Sequence, residues 1–221
     1  KIEDFSNFTD KVLFDIQLNS ASIASNDIRY FYKEIGKNQH FYAKASIKGT
    51  LNDLKFKNLE LVDDRKTRIN GDINFKNLFA KKGQKFSMYA KFDKLMSSYD
   101  DLVVILPNIL GTKLPTSLKK LGRFSASGIS NVSTTAVDAD FSMITALGKV
   151  TSKLAIQNIN VIDKASYLGN VILENFDIAT LLDQKDLGRV SLNIDVDGKG
   201  FKQKFLDTAI KGDISQIDYK N

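Results

Sequence analysis

The run from Arg189 to Asp197 alternates without a slip: Val190, Leu192, Ile194 and Val196 at one parity, Arg189, Ser191, Asn193, Asp195 and Asp197 at the other. A helix would scatter these apolar side chains around its circumference, whereas a pleated strand gathers them on one face. The same signature follows Gly148, with Val150, Leu154 and Ile156 against Lys149, Thr151 and Lys153, and less regularly follows Gly169 as Val171-Ile172-Leu173-Glu174. Gly148, Gly169 and Gly188 are 21 and 19 residues apart, Gly128 lies 20 before Gly148, and Gly49 and Gly71 are separated by 22. A period near 20 accommodates two strands and their turns, so the pattern predicts a strand-pair repeat stacked along one axis.

Upstream of this region the alternation predicts further strands. Val12, Phe14, Ile16 and Leu18 form one, Ser20 to Ser25 a turn or bulge, and Ile28, Tyr30 and Tyr32 a resumed alternation. Phe41, Ala43, Ala45, Ile47 and Leu51 share a face, and Leu54, Phe56, Leu59 and Leu61 follow with their phase broken at Asn58, the mark of a bulge. Ile69, Gly71, Ile73 and Phe75 make the next strand, a turn is expected over Ala80 to Lys85, and Phe86, Met88, Ala90 and Phe92 alternate after it.

Residues 97–121 interrupt the strands. Ser98 can cap a helix with Asp101 placed on its first turn, the apolar run Leu102 to Leu106 stops at Pro107, Pro115 starts a second short helix, and Gly122 ends it. Strands resume with Phe124 and Ala126 and with Val137 to Phe141. Asp177 is expected to cap a short helical turn, and Ala209 to Tyr219, with Ile210, Ile214 and Ile217, reads as the opening of a further repeat. The whole of 1–221 is thus expected to be a single repetitive β-rich segment of a larger protein, carrying one short helical insert at 97–121.

Chemistry-bearing patterns are absent from the sequence. His40 is the one histidine and there is no cysteine, which removes thiolate metal sites and disulfides. Gly198-Lys199-Gly200 lacks the earlier glycine and following hydroxyl of a phosphate loop, and Asp195-Val196-Asp197-Gly198 lacks the rest of a calcium loop. Asp63-Asp64 and Asp100-Asp101 are neighbours in sequence whose side chains point apart. The expectation is a protein that is not an enzyme and takes no cofactor. The net charge of +6 comes from 32 basic and 26 acidic residues that are interleaved rather than pooled, unlike the stripe of a nucleic-acid module. The densest basic spots, Lys81-Lys82-Lys85, Lys119-Lys120-Arg123 and Lys199-Lys202-Lys204, read as solvated faces and turns, with anionic headgroups as the functional alternative.

So much apolar surface on every strand demands a cover. Either a second sheet supplies it, as in a sandwich, or the same sheet curls into a half-pipe whose hydrophobic interior takes helices or acyl chains. The predicted class is all-β with short helices, its repetitive and mostly antiparallel strands forming such a curled sheet. The candidate lipid-binding lining is Phe86, Met88, Phe92, Val150, Leu154, Ile156, Val171, Leu173, Val190, Leu192, Ile194 and Val196.

Several stretches carry a family resemblance. Phe56-Lys57-Asn58-Leu59-Glu60-Leu61 leading to Arg68-Ile69-Asn70-Gly71-Asp72-Ile73 is similar to the strand, charged turn and glycine unit of AsmA-like and TamB-like proteins. The insert from Ser97 to Leu106-Pro107, Leu114-Pro115 and Leu121-Gly122-Arg123-Phe124 resembles the helical insert of the Bacteroidetes TamB-like proteins, as do Tyr167 to Ile178 and Leu187 to Gly200. The resemblance covers roughly residues 45–205. It implies a β-taco groove in a periplasmic protein anchored to the inner membrane, carrying phospholipid toward the outer membrane and working with a BamA-like or TamA-like barrel in outer-membrane biogenesis. The expected partners are phospholipid acyl chains, with any barrel contact made by parts outside this chain. Two rivals stand beside this reading: a scaffold or chaperone whose strand edges pair with outer-membrane proteins, and an adhesin or carbohydrate-binding sandwich, for which Tyr30, Phe31 and Tyr32 are the aromatic cluster.

Overall fold

A computed structural model describes residues 7–79, 83–201 and 206–219. Eleven strands form one antiparallel sheet in simple sequence order, each bonded to its neighbours in the chain. They are β1 (Phe14–Ala24), β2 (His40–Gly49), β3 (Leu54–Asp63), β4 (Arg68–Lys76), β5 (Ser87–Ser98), β6 (Arg123–Ser133), β7 (Ala136–Ile144), β8 (Lys149–Gln157), β9 (Ser166–Asp177), β10 (Leu187–Lys199) and β11 (Asp207–Tyr219). The sheet is not closed, and all the described strands belong to it, so no second sheet of described strands faces it.

Short helices α1 (Phe8–Lys11), α2 (Ser25–Ile28), α3 (Tyr99–Ile105), α4 (Leu110–Lys113) and α5 (Ile178–Leu182) occupy connections, with a 3-10 turn at Thr116–Leu121. Because successive strands are antiparallel, the connections after β1, β5, β7 and β9 all fall at one end of the sheet. They are tied into a continuous cap there. The Gly36 amide donates to the Ile105 carbonyl at 2.8 Å, the Ala146 amide to Leu121 at 3.0 Å, and Lys120 Nζ to Leu181 at 3.2 Å. Beneath the cap Leu147, Phe176 and Val190 form the buried core cluster, against which Leu121, Ile178 and Leu181 pack.

The helical insert is anchored by Asp101. Ser98 is the N-cap of α3 and accepts from the Asp101 amide, while its hydroxyl donates back to Asp101 Oδ2 at 2.7 Å. Arg65 Nε donates to Oδ1 at 2.8 Å and an Arg123 guanidinium nitrogen to Oδ2 at 2.9 Å. Arg123 also reaches the Lys66 carbonyl at 2.8 Å, so α3 is locked to the β3–β4 turn and to the start of β6.

Several sequence expectations are corrected. Val12 lies outside β1; of the turn or bulge expected over Ser20 to Ser25, the bulge is present between Leu18 and Ala21, whereas Ala21 to Ala24 continue the strand beyond it. Ile28, Tyr30 and Tyr32 form no strand: Ser25–Ile28 is helical and the chain then turns, leaving Tyr30 and Phe31 exposed. Leu51 lies beyond β2, whose last residue is Gly49. The insert divides into three pieces rather than two, Ser97 and Ser98 still belong to β5, and Pro115 precedes the 3-10 turn instead of opening a helix. Spacings near 20 do not mark strand pairs: Gly128 to Gly148 runs from β6 to the start of β8, but Gly169 to Gly188 takes β9 directly into β10. Gly169 stands inside β9 rather than opening a run.

Register places three of the glycines, Gly71, Gly128 and Gly212, in one row. Residues directly opposite one another run Leu59, Gly71, Phe92, Gly128, Phe141, Ser152, Val171, Ile194 and Gly212 in one row from β3 to β11. Gly128 has φ +153°, and the Phe92 and Phe141 rings that flank it approach to 5.9 Å between centroids. The expected bulge at Asn58 is present, with φ +50°. Its amide donates to Asp72 Oδ1 at 2.9 Å, and Lys57 Nζ donates to Oδ2 at 2.7 Å. These hydrogen bonds, from Lys57 first and the Asn58 amide second, hold the Asp72 carboxyl below its usual range. An equivalent bulge in β9 places the Asn175 amide on Ser191 Oγ at 3.0 Å.

Candidate functional site

The register assigns every strand residue to one of two faces. One face is mainly apolar, with Asp63, Ser130, Ser152 and Thr208 among its polar positions: Ile16 and Leu18 of β1, Phe41 to Ile47 at alternate positions of β2, Phe56 and Leu61 of β3, Ile69, Ile73 and Phe75 of β4, and onward to Ile210, Ile214 and Ile217 of β11. The other face carries the polar parity, where lysines stand beside carboxylates. Lys57–Asp72 at 2.7 Å, Lys149–Glu174 at 2.7 Å and Lys48–Asp15 at 3.1 Å are cross-strand ion pairs. These pairs are exposed and contribute at most about 1 kcal/mol each. They spread charge of both signs over the face rather than concentrating it.

All twelve candidate lining residues lie on the apolar side. Met88 and Phe92 are in β5, and Phe86 just before that strand sets its ring 6.4 Å from Phe75. Val150, Leu154 and Ile156 of β8, Val171 and Leu173 of β9, and Leu192, Ile194 and Val196 of β10 form a contiguous patch, with Val150 opposite Leu173, Leu173 opposite Leu192, and Val171 opposite Ile194. Val190 is different. It is 4% exposed within the core cluster, and Val150, Leu173 and Leu192 pack against that cluster, so this corner is filled by protein. The candidate residues of β8 to β10 outside that cluster are Leu154, Ile156, Val171, Ile194 and Val196, all half-buried, toward the end away from the cap.

Sequence reading left out the residues that join the β5 group to the β8–β10 group. Val132 and Gly128 of β6 and Val137, Ala139, Phe141 and Met143 of β7 bridge them on the same face. Phe56 and Phe75 extend the surface on the other side, their rings 6.1 Å apart and edge to face. The alternation in each strand was the available signal; what it lacked was register.

No family model, curated protein or solved structure matches this chain. Its site must be weighed on its own geometry.

The residues singled out for other chemistry are dispersed. His40 opens β2, pairs with Ser22 Oγ at 2.9 Å and stacks edge to face on Tyr42. Asp195 and Asp197 are on the polar parity of β10. Asp63 and Asp101 are buried whereas Asp64 and Asp100 are not, so neither sequence pair acts as two facing carboxylates. Among the described residues no three His, Cys, Asp or Glu side chains converge as a metal site, and no helix is long and apolar enough to cross a membrane. Lys119, Lys120 and Arg123 are paired with Asp100, Asp183 and Asp101 and serve the cap. Lys81, Lys82, Lys202 and Lys204, and the start of the turn expected from Ala80, lie outside the described residues.

Proposed function

We propose that the chain forms a lipid-conducting groove of the TamB-like and AsmA-like kind, with acyl chains lying against the apolar face and headgroups held at its polar margins. The carrying observation is that a mainly apolar face spans eleven strands while no second described sheet packs on it. Curvature of the sheet toward that face supplies the cover that a facing layer would otherwise give. Three features support this curl. Glycines with positive φ recur along one row, bulges interrupt β1, β3 and β9, and both devices bend sheets. Ala43, Ala45, Ala90 and Ala126 on the apolar side are at most 7% exposed, with Ala90 at 0%, although they belong to a single-layer sheet. In this reading the cap closes one end, and lipid uses the remainder of the trough. The protein works without bond-making chemistry, in the periplasm, as a passage between membranes that serves outer-membrane biogenesis.

Organic extraction of the purified chain followed by mass spectrometry tests this. Phospholipid is expected at a reproducible molar ratio, and Ile194→Arg or Val171→Arg is expected to lower it several-fold while the circular dichroism spectrum and melting temperature stay close to the parent's. These positions are better probes than Leu192, which contacts the core cluster. Retention of the full lipid complement by both folded arginine variants would remove the apolar face from the path. The rival scaffold reading rests on exposed strand edges, and it predicts capture of client strands indifferent to either substitution.

A further inference from the structure

Two connections from opposite ends of the sheet meet. Tyr32 belongs to the connection after β1, at the capped end, where its amide donates to the Ile28 carbonyl at 2.9 Å and the nearby Gly36 amide reaches Ile105. Phe79 follows β4 at the other end. Its amide donates to Asn52 Oδ1 at 2.9 Å and the Leu78 amide to the Asn52 carbonyl at 3.0 Å, in the turn between β2 and β3. About 30 Å of extended strand separates the two ends of the ten-residue β2. Yet the Tyr32 and Phe79 rings lie 6.4 Å apart, edge to face. The two rims are thus joined across one face of the sheet, and burial along β2 identifies it. Phe41, Ala43 and Ala45 on the apolar side are 3%, 7% and 3% exposed, while their polar-parity neighbours Tyr42 and Lys44 are exposed. An alanine has no bulk with which to hide itself, and no second described sheet packs on this side, so the connections supply the cover. Burial, with the Glu34 carboxylate second, raises the pKa of the Tyr32 hydroxyl, in keeping with a ring drawn out of water.

We propose that Tyr32 and Phe79 form a latch whose contact closes the trough over β2–β4 and whose release opens this stretch of the apolar face, from the side, to an acyl chain. An edge-to-face aromatic pair suits that task, being favourable yet a single contact rather than an interdigitated layer. Parting it breaks no strand pairing, because both residues lie outside every strand. The loop that carries Tyr32 is braced as a unit: the Arg29 guanidinium donates to the Lys33 carbonyl at 2.7 Å and also to the Ile35 carbonyl. The inference rests on the lipid-groove reading for what enters, but not for the closure itself.

The chain contains no cysteine, so a single introduced thiol reports on the cover. Ala45→Cys places it beneath the closure, and Lys44→Cys, one residue away on the exposed polar face, is the control. Maleimide labelling of Ala45→Cys is expected to be slow, and to accelerate about tenfold or more when Tyr32→Ala or Phe79→Ala is added, with Lys44→Cys labelled rapidly in every background. Circular dichroism checks that each variant is folded, and Ala43→Cys replaces Ala45→Cys if the latter is not. Phosphatidylcholine vesicles carrying phosphatidylglycerol with a fluorescent acyl chain then supply the lipid, and uptake by Phe79→Ala is expected to be several-fold faster than by the parent. Labelling of the buried thiol at one rate with and without the latch, or lipid uptake at one rate in parent and Phe79→Ala, would overturn the proposal and leave the groove standing. Labelling that depends on the latch in a chain that takes up no lipid would support the closure and remove the lipid reading instead.

Discussion

Gly128→Val is expected to lower the melting temperature by about 10 °C, corresponding to roughly 4 kcal/mol for a chain of this size. Gly128 lies mid-strand in β6, bonded into ladders on both sides, with φ +153°. A Cβ built there falls 2.1 Å from the Asp140 carbonyl oxygen and 2.8 Å from the Phe141 Cα. Both are backbone atoms of the neighbouring strand, so no side-chain rotation relieves the overlap. Strand β7 must move away or β6 must abandon a backbone angle that only glycine adopts without strain. The second response would flatten the local bend and part Phe92 from Phe141, which meet across this residue. Ser127→Ala, next door on the polar face, is the control and should melt within about 2 °C of the parent. The measurement is thermal unfolding by circular dichroism or calorimetry. If Gly128→Val melts with the control, the close approach of these strands is not a constraint on the fold.

Much of the sheet was legible because strands such as β10 alternate cleanly over nine or more residues, and a period of two has no helical counterpart. The failures occurred where alternation and backbone part company. Ile28, Tyr30 and Tyr32 are spaced like a strand but have no ladder to join, and local hydrogen bonds such as Arg29 to Ser25 hold them in a helical turn instead. Ser20 to Ala24 had too little apolar character to announce itself as strand, yet Ser22 and Ile23 are held by Tyr42 and Phe41 opposite. The face of each candidate lining residue could be read from parity alone. Its depth could not, because the burial of Val190 depends on Leu147 and Phe176 arriving from distant turns. The glycines were visible but were misread as a period. The alignment of Gly71, Gly128 and Gly212 is a property of register, which loop lengths and bulges set together.

The second large effect concerns Asp101, where only the local half of the arrangement was legible. Ser98 and Asp101 are three apart and announce a helix start, but Arg65 and Arg123 come from 36 residues before and 22 after. The Asp101 side chain is 8% exposed while Arg65 and Arg123 are 46% and 49% exposed, so removing the carboxylate leaves two guanidiniums that water can still reach. The cost is accordingly below that of stranding a fully buried charge, and Asp101→Ala is expected to destabilise by about 2–3 kcal/mol. That corresponds to a fall of roughly 5–10 °C in melting temperature. Asp101→Asn, which can still accept hydrogen bonds, should lose less. The pH dependence separates charge from packing. Burial alone would raise the Asp101 pKa, but hydrogen bonds from Arg65 and Ser98 and the charges of both arginines outweigh it and hold the carboxyl below its usual range. A folded pKa below the unfolded value of about 3.9 means that the ionised form stabilises the fold above that pH, and that this contribution is lost as pH falls through the lower folded pKa. The melting difference between parent and Asp101→Asn should therefore be constant from neutrality down to about pH 5 and shrink below about pH 4. A gap that stays unchanged into the acid range would show that Asp101 holds the cap by shape and hydrogen bonding, with its charge making no contribution.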